Sequence, residues 1–228
     1  IKMNHLGKVF YGGNRYNSSH FENSLISFKS DLKKIVPILN DNSSIAVIEN
    51  HQDLHSIELK QIIEDISIDS LGVNWDIGNA FSVCDTPETF FENTKHLIKN
   101  VHIKDYKISK SKKGILLTRC KLGSGSVNFN DIFTKLNSIE NQLGSLSIEL
   151  GAQISRDCHI NLEEYWEPYS KLDINRKNYT ETVLELSEDY SMKSDYENGL
   201  RGSDLKMKEI DDVNISIHQI NKILRNLR

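Results

Sequence analysis

The chain has 228 residues, 38% hydrophobic and 26% charged, with a net charge of −4. That length suits one ordinary domain with a sizeable core, and the acidic balance argues against a general nucleic-acid binder, which would carry a basic excess. No apolar run approaches the roughly 20 residues of a membrane span, and the N-terminus does not read as a secretion signal. The three widely spaced cysteines, Cys84, Cys120 and Cys158, read as reduced, buried thiols rather than a disulfide framework, so the expected location is cytoplasmic.

Short β-branched stretches alternate with helical patterns along the first two thirds. Residues 7–11 read as a strand, and Leu25, Phe28, Leu32, Ile35, Val36 and Leu39 then follow the 3-and-4 spacing of a helix. Residues 44–49 form the next strand, followed by a helix bearing Leu54, Ile57, Leu59, Ile62 and Ile63. Residues 71–76 make a third strand, with Phe90, Phe91, Leu97 and Ile98 on the helix after it. Residues 100–104 make a fourth. Residues 105–123, basic at first and then apolar, read as a hairpin-like excursion whose lysines are a solvated loop. A helix bearing Ile132, Phe133, Leu136 and Ile139 starts from an Asn128 or Asn130 cap, and residues 146–150 form the last strand. From about residue 160 the chain is polar and helical with little strand signal. Residues 191–204 read as a flexible loop, and Ile215, Ile217, Ile220, Ile223 and Leu224 mark a closing amphipathic helix. The expected organisation is residues 1–155 as βα units and 156–228 as a mostly helical extension.

Strand–helix alternation implies right-handed βα units, in an open doubly wound sheet or a (β/α)8 barrel. No GxGxxG or Walker loop follows a strand, which weakens the nucleotide-binding sheet. Charged groups at successive strand ends favour the barrel, whose C-terminal rim is the usual active face. Glu49, Asp76, His102 and Glu149 each stand at or just beyond the end of a hydrophobic strand. Burying such groups is costly unless they are paired or bind a metal, and four on one rim are hard to read as isolated accidents. Three carboxylates and an imidazole suit Mn²⁺, Mg²⁺, Co²⁺ or Zn²⁺ with open positions, and the lack of thiolates argues against a closed structural zinc site. Beside them, Lys104 and Asp105 read as an ion pair or as site residues, and Asn50 and Asn79 as groups that orient ligands. Arg156 and His159 read as substrate contacts or surface loop, and Trp75 and Trp166 as packing. His5, His20, His55, His96 and His218 show no partner pattern.

The segments Ile-Glu-Asn-His (48–51), Asn-Trp-Asp-Ile-Gly-Asn (74–79), Val-His-Ile-Lys-Asp (101–105), Leu-Gly-Ser-Gly-Ser-Val-Asn-Phe (122–129) and Ser-Ile-Glu-Leu (147–150) resemble the xylose isomerase-like TIM-barrel superfamily. Within it, the best match is the sugar phosphate isomerase/epimerase group. The resemblance implies metal-ligand roles for Glu49, Asp76, His102 and Glu149, and proton exchange with substrate at the two glutamates. It places His51 near the substrate, with Lys104 and Arg156 as further candidate contacts. The implied partner is a small carbohydrate, converted through an enediolate by isomerisation or epimerisation. Alternatives are an inosose-dehydratase-like lyase, an endonuclease IV-like nuclease, and a non-catalytic barrel piece; a homo-oligomer is left open. Two departures stand out. Asn79 occupies a position where polynuclear-zinc members carry histidine, which weakens the nuclease reading, and Ser124 replaces a common acidic residue. In addition, the first ligand follows the fifth strand in this superfamily, yet only one strand is legible upstream. The sequence therefore predicts a TIM barrel lacking about three N-terminal βα units, and hence a piece of a longer protein.

Overall fold

The computed structural model describes residues 12–17, 20–150 and 154–226. The strand expected at residues 7–11 lies outside them. Helix α1 (Phe21–Asp41) buries Phe21, Phe28 and Leu32. It leads to β1 (Ala46–Glu49), α2 (Ser56–Ile66), β2 (Leu71–Asp76), α3 (Pro87–Thr94) and β3 (Ile98–Ile103). After a hairpin of β4 (Asp105–Lys110) and β5 (Ile115–Cys120) come α4 (Phe129–Asn137) and β6 (Ser145–Ile148). Strands β1, β2, β3 and β6 lie in that order as one all-parallel sheet.

Local chemistry explains the boundaries. His55 caps α2 by accepting the Ile57 amide at 3.2 Å, while Glu58 accepts from the His55 amide at 3.0 Å, a reciprocal capping box. Thr86 accepts from the Thr89 amide to start α3, with Pro87 at its first position. Asn128 caps α4. The expected third helix ran too far: α3 stops at Thr94, and Ile98 opens β3. Periodicity could not separate them, because a buried residue just after a helix and one opening a buried strand are both simply apolar.

Strand alternation separates site from core. Trp75 and Val101, paired in register, are fully buried; the Trp75 ring stacks on Phe90 at 6.2 Å and tilts against Phe91 at 5.6 Å. The opposite face of β2 presents Asn74 and Asp76. A register shift between Val73 and Asn74 takes up one extra residue of β3, so that Asp76 and His102 become direct partners with side chains in phase.

The hairpin carries a second sheet, in the order β7–β5–β4–β8, with β7 (Arg156–Cys158) antiparallel to β5 and β8 (Ser187–Glu188) parallel to β4. The expected excursion is thus a regular antiparallel pair, Asp105 opposite Cys120 through Lys110 opposite Ile115. Its two outer strands come from the C-terminal region, which otherwise folds as α5 (Glu163–Trp166), α6 (Arg176–Glu185) and α7 (Gly202–Asn226). That region is joined to the rest by buried tyrosines. Tyr165 donates to the Ser82 carbonyl at 2.8 Å, Tyr179 to the Phe81 carbonyl at 2.5 Å, and Tyr169 to the Gly13 carbonyl at 3.2 Å. The loop expected at 191–204 ends earlier, since α7 begins at Gly202, and its start is held by a Met192 amide bond to the Ser109 hydroxyl.

Candidate metal centre

Glu49 ends β1, Asp76 ends β2, His102 lies next to the end of β3, and Glu149 follows β6 directly. One donor atom from each of the four lies within 4.8 Å of the others. Parallel strands side by side, with the same side-chain phase, produce this convergence at their C-terminal ends. The His102 Nδ1 faces Glu149 Oε2 at 2.8 Å and Glu49 Oε2 at 3.8 Å. Glu49 and Asp76 are buried, whereas His102 and Glu149 keep about a quarter of their side-chain surface open, at 26% and 27%. The cluster is therefore enclosed on the β1–β2 side and accessible on the β3–β6 side.

The surrounding charges are uneven. Lys104 is 0% exposed and pairs with Asp76 Oδ2, and its Nζ stands 3.0 Å from Glu149 Oε1. Burial, and to a lesser degree Arg119, work against the Lys104 ammonium, but Asp76, Tyr106 and Glu149 outweigh them and raise its pKa, so the cation persists. Burial pushes Asp76 up to about 6 even against that cation, which leaves it ionised at neutral pH. The hydrogen bond from His102 holds Glu149 well below the usual carboxylate range. The same bond raises His102 against the opposing effect of burial.

Asp76 is fixed from three directions. Asn79 donates to its Oδ2 at 2.6 Å and to the Asn50 carbonyl at 3.0 Å. Asn50 accepts from the Asp76 amide at 2.6 Å and donates to the Asp76 carbonyl at 2.9 Å. Both asparagines hold Asp76 in place, and Asn79 is in turn met by Gln52 and by the Tyr106 hydroxyl. The Asp76 Oδ1 is buried and has no hydrogen-bond partner among the described residues. An orphaned buried carboxylate oxygen at the centre of three carboxylates and an imidazole is what a divalent cation would satisfy, so the residues present fit such an ion.

The expected Lys104–Asp105 ion pair gives way to a different arrangement. The Asp105 carboxylate turns from the cluster and accepts backbone N–H bonds from Gly123, Gly125 and Val127 at 3.0, 2.9 and 3.2 Å. A Cβ on Gly125 would overlap both that carboxylate and the Tyr106 carbonyl, which gives the Gly-x-Gly loop a steric reason. His51 is half-buried, two residues beyond Glu49. Arg156 lies on β7 opposite Leu117, in the second sheet. The sequence reading passed over Arg119 on β5, whose Nη1 stands 3.9 Å from Glu149 Oε1. Only the hairpin register brings it there, and nothing near it in sequence marks the site. Two histidines read as partnerless do have partners: buried His55 caps α2 with its Nε2 3.6 Å from Asp85, and His96 lies 3.1 Å from Glu64.

Comparison with known proteins places the chain in a family. Over 107 residues the chain is 28% identical to the uncharacterized protein YihM of Escherichia coli, covering 47% of this chain and 33% of that protein. Over 142 residues it is 21% identical to a 3-oxo-isoapionate decarboxylase of Pectobacterium atrosepticum, covering 61% of this chain and 52% of that one. The chain thus spans between a third and about half of the length of these curated relatives. Among solved structures it is similar to a D-tagatose 3-epimerase-like protein, with 26% identity, a TM-score of 0.45, and coverage of 74% of this chain and 58% of the other. A family model described as xylose isomerase-like TIM barrel matches residues 3–167. With well over half of its length matched, this chain belongs to the xylose isomerase-like TIM barrel family.

Proposed function

We propose that Glu49, Asp76, His102 and Glu149 hold one divalent cation, and that the chain serves as a metal-dependent isomerase or epimerase of a sugar, keto-polyol or related carbohydrate. The observation that carries this is the four-donor cluster within 4.8 Å around a buried Asp76 oxygen with no hydrogen-bond partner among the described residues. A cation held there would polarise a carbonyl and acidify the neighbouring C–H. Glu49 and Glu149 stand at the ends of the two outer strands of the sheet, β1 and β6, one buried and one partly open, and both are carboxylates suited to proton transfer. One removes the proton, leaving an enediolate, and the other returns it to a different face or carbon. Lys104, a candidate substrate contact, supplies counter-charge to Asp76 and Glu149. Arg119 and the half-buried His51 are the groups proposed to meet substrate oxygens, with Arg156 on the neighbouring strand.

The test combines metal analysis with proton exchange. The purified chain is expected to retain about one Mn²⁺, Mg²⁺, Co²⁺ or Zn²⁺ per molecule and to exchange solvent deuterium into a panel of ketohexoses. Glu149→Gln should lower the exchange by at least about 100-fold. A chain that holds no cation, with exchange unchanged in Glu149→Gln, would sink this reading. A lyase reading has one observation in its favour, the likeness to a decarboxylase acting on a 3-oxo sugar acid. Release of carbon dioxide from such an acid, without deuterium exchange into ketoses, would select it.

A further inference from the structure

Asn74 is 6% exposed and shares the inward face of β2 with Asp76. Its amide nitrogen is placed 3.0 Å from His102 Nε2, while its Oδ1 is buried and has no hydrogen-bond partner among the described residues. On the other side of the same ring, Nδ1 faces Glu149 and Glu49. A metal-binding imidazole offers the lone pair of one nitrogen and keeps its proton on the other. Since Nδ1 faces the donor set, that proton belongs on Nε2, where it needs an acceptor. Amide oxygen and nitrogen have nearly the same shape, so the Asn74 amide can turn over in place. Turned over, its Oδ1 accepts the Nε2 proton, and one bond satisfies both the orphaned oxygen and the ring. The neighbouring register favours this: Asn74 pairs with Glu49 across β1 and Asp76 with His102 across β3, so the amide reaches the ring diagonally from one row below.

We infer that Asn74 is a positioning residue that accepts the His102 Nε2 proton and so fixes the tautomer presenting Nδ1 to a cation; this rests on the metal site proposed above. The test uses the full chain with 15N-labelled histidine and Zn²⁺ as probe. In the wild type loaded with Zn²⁺, long-range proton–nitrogen spectra should show His102 protonated at Nε2. Competition titrations should show Asn74→Leu binding Zn²⁺ about 10- to 100-fold more weakly. Asn74→Asp, which restores an acceptor at the same place, should recover the affinity to within a few-fold of the wild type. A proton found on Nδ1, or Asn74→Leu folded and binding Zn²⁺ as tightly as the wild type, overturns the inference while leaving the metal site standing. Should Asn74→Leu not fold, the wild-type tautomer and the Asp variant decide: affinity lost in a folded Asn74→Asp counts against it. A wild type that binds no Zn²⁺ removes the metal site itself, and this inference with it.

Discussion

Asp85 is fully buried and its carboxyl is pushed up to about 7 by that burial, although the Ser56 and Thr86 amides donate to it. Below about pH 4 the folded and unfolded chains both carry this proton; between about 4 and about 7 only the folded chain does, so this residue costs stability as pH rises. His55 beside it works the other way, since burial depresses it to about 4 and the unfolded chain takes up a proton first as pH falls from about 6.5. Comparing Asp85→Asn with the wild type isolates the first effect. The variant should gain relative stability between pH 4 and 7, by at most about 1.4 kcal/mol per pH unit, read from urea midpoints. Parallel pH profiles for the two proteins would contradict the assignment. At Asn79, the structure shows a single amide holding Asp76 and the Asn50 carbonyl together. Asn79→Ala should therefore weaken cation binding by about 10- to 100-fold, measured by titration, with a smaller effect on the melting temperature.

The elements behind the site carry their own tests. Trp75 is buried against Phe90 and Phe91, on the side of β2 away from Asp76. Trp75→Ala removes that packing and should cost about 3–5 kcal/mol in chemical unfolding, as for other large-to-small core changes. At the hairpin, Gly125→Ala would press a methyl group onto Asp105 and the Tyr106 carbonyl. A loss of about 1–3 kcal/mol is expected, with faster hydrogen exchange at the Gly123 and Val127 amides that share the Asp105 carboxylate. The C-terminal region bears on the site through Tyr165 and Tyr179, which bind the backbone of the short 3-10 segment Ile77–Ser82 that carries Asn79. The sequence reads residues 156–228 as a mostly helical extension, and in the fold this region lends two strands, β7 and β8, to the hairpin sheet.

Among the described residues, β6 is the margin of its sheet, and its Ser145, Leu146 and Ser147 are exposed, Leu146 at 47%. Along α7, Met207, Ile210, Val213, Ile217 and Leu224 are also exposed. An apolar parallel margin of this kind promotes association between chains. Light scattering should show concentration-dependent association that Leu146→Lys suppresses; a chain monomeric at all concentrations would contradict this. Much of the molecule was legible beforehand. Hydrophobic runs leading to Glu49, Asp76, His102 and Glu149 marked both the strands and the four side chains that cluster at their ends, because strand polarity and alternation are local properties of the chain. A cap at Asn128 or Asn130 and the excursion over residues 105–123 were readable for the same reason. What tertiary structure alone decided is non-local: the β2–β3 register shift that aligns Asp76 with His102, the pairing of Lys104 with Asp76 instead of Asp105, and the arrival of Arg119 beside Glu149. Those partners come from different strands, and their distances depend on how the strands slide past one another, which no local pattern of residues encodes.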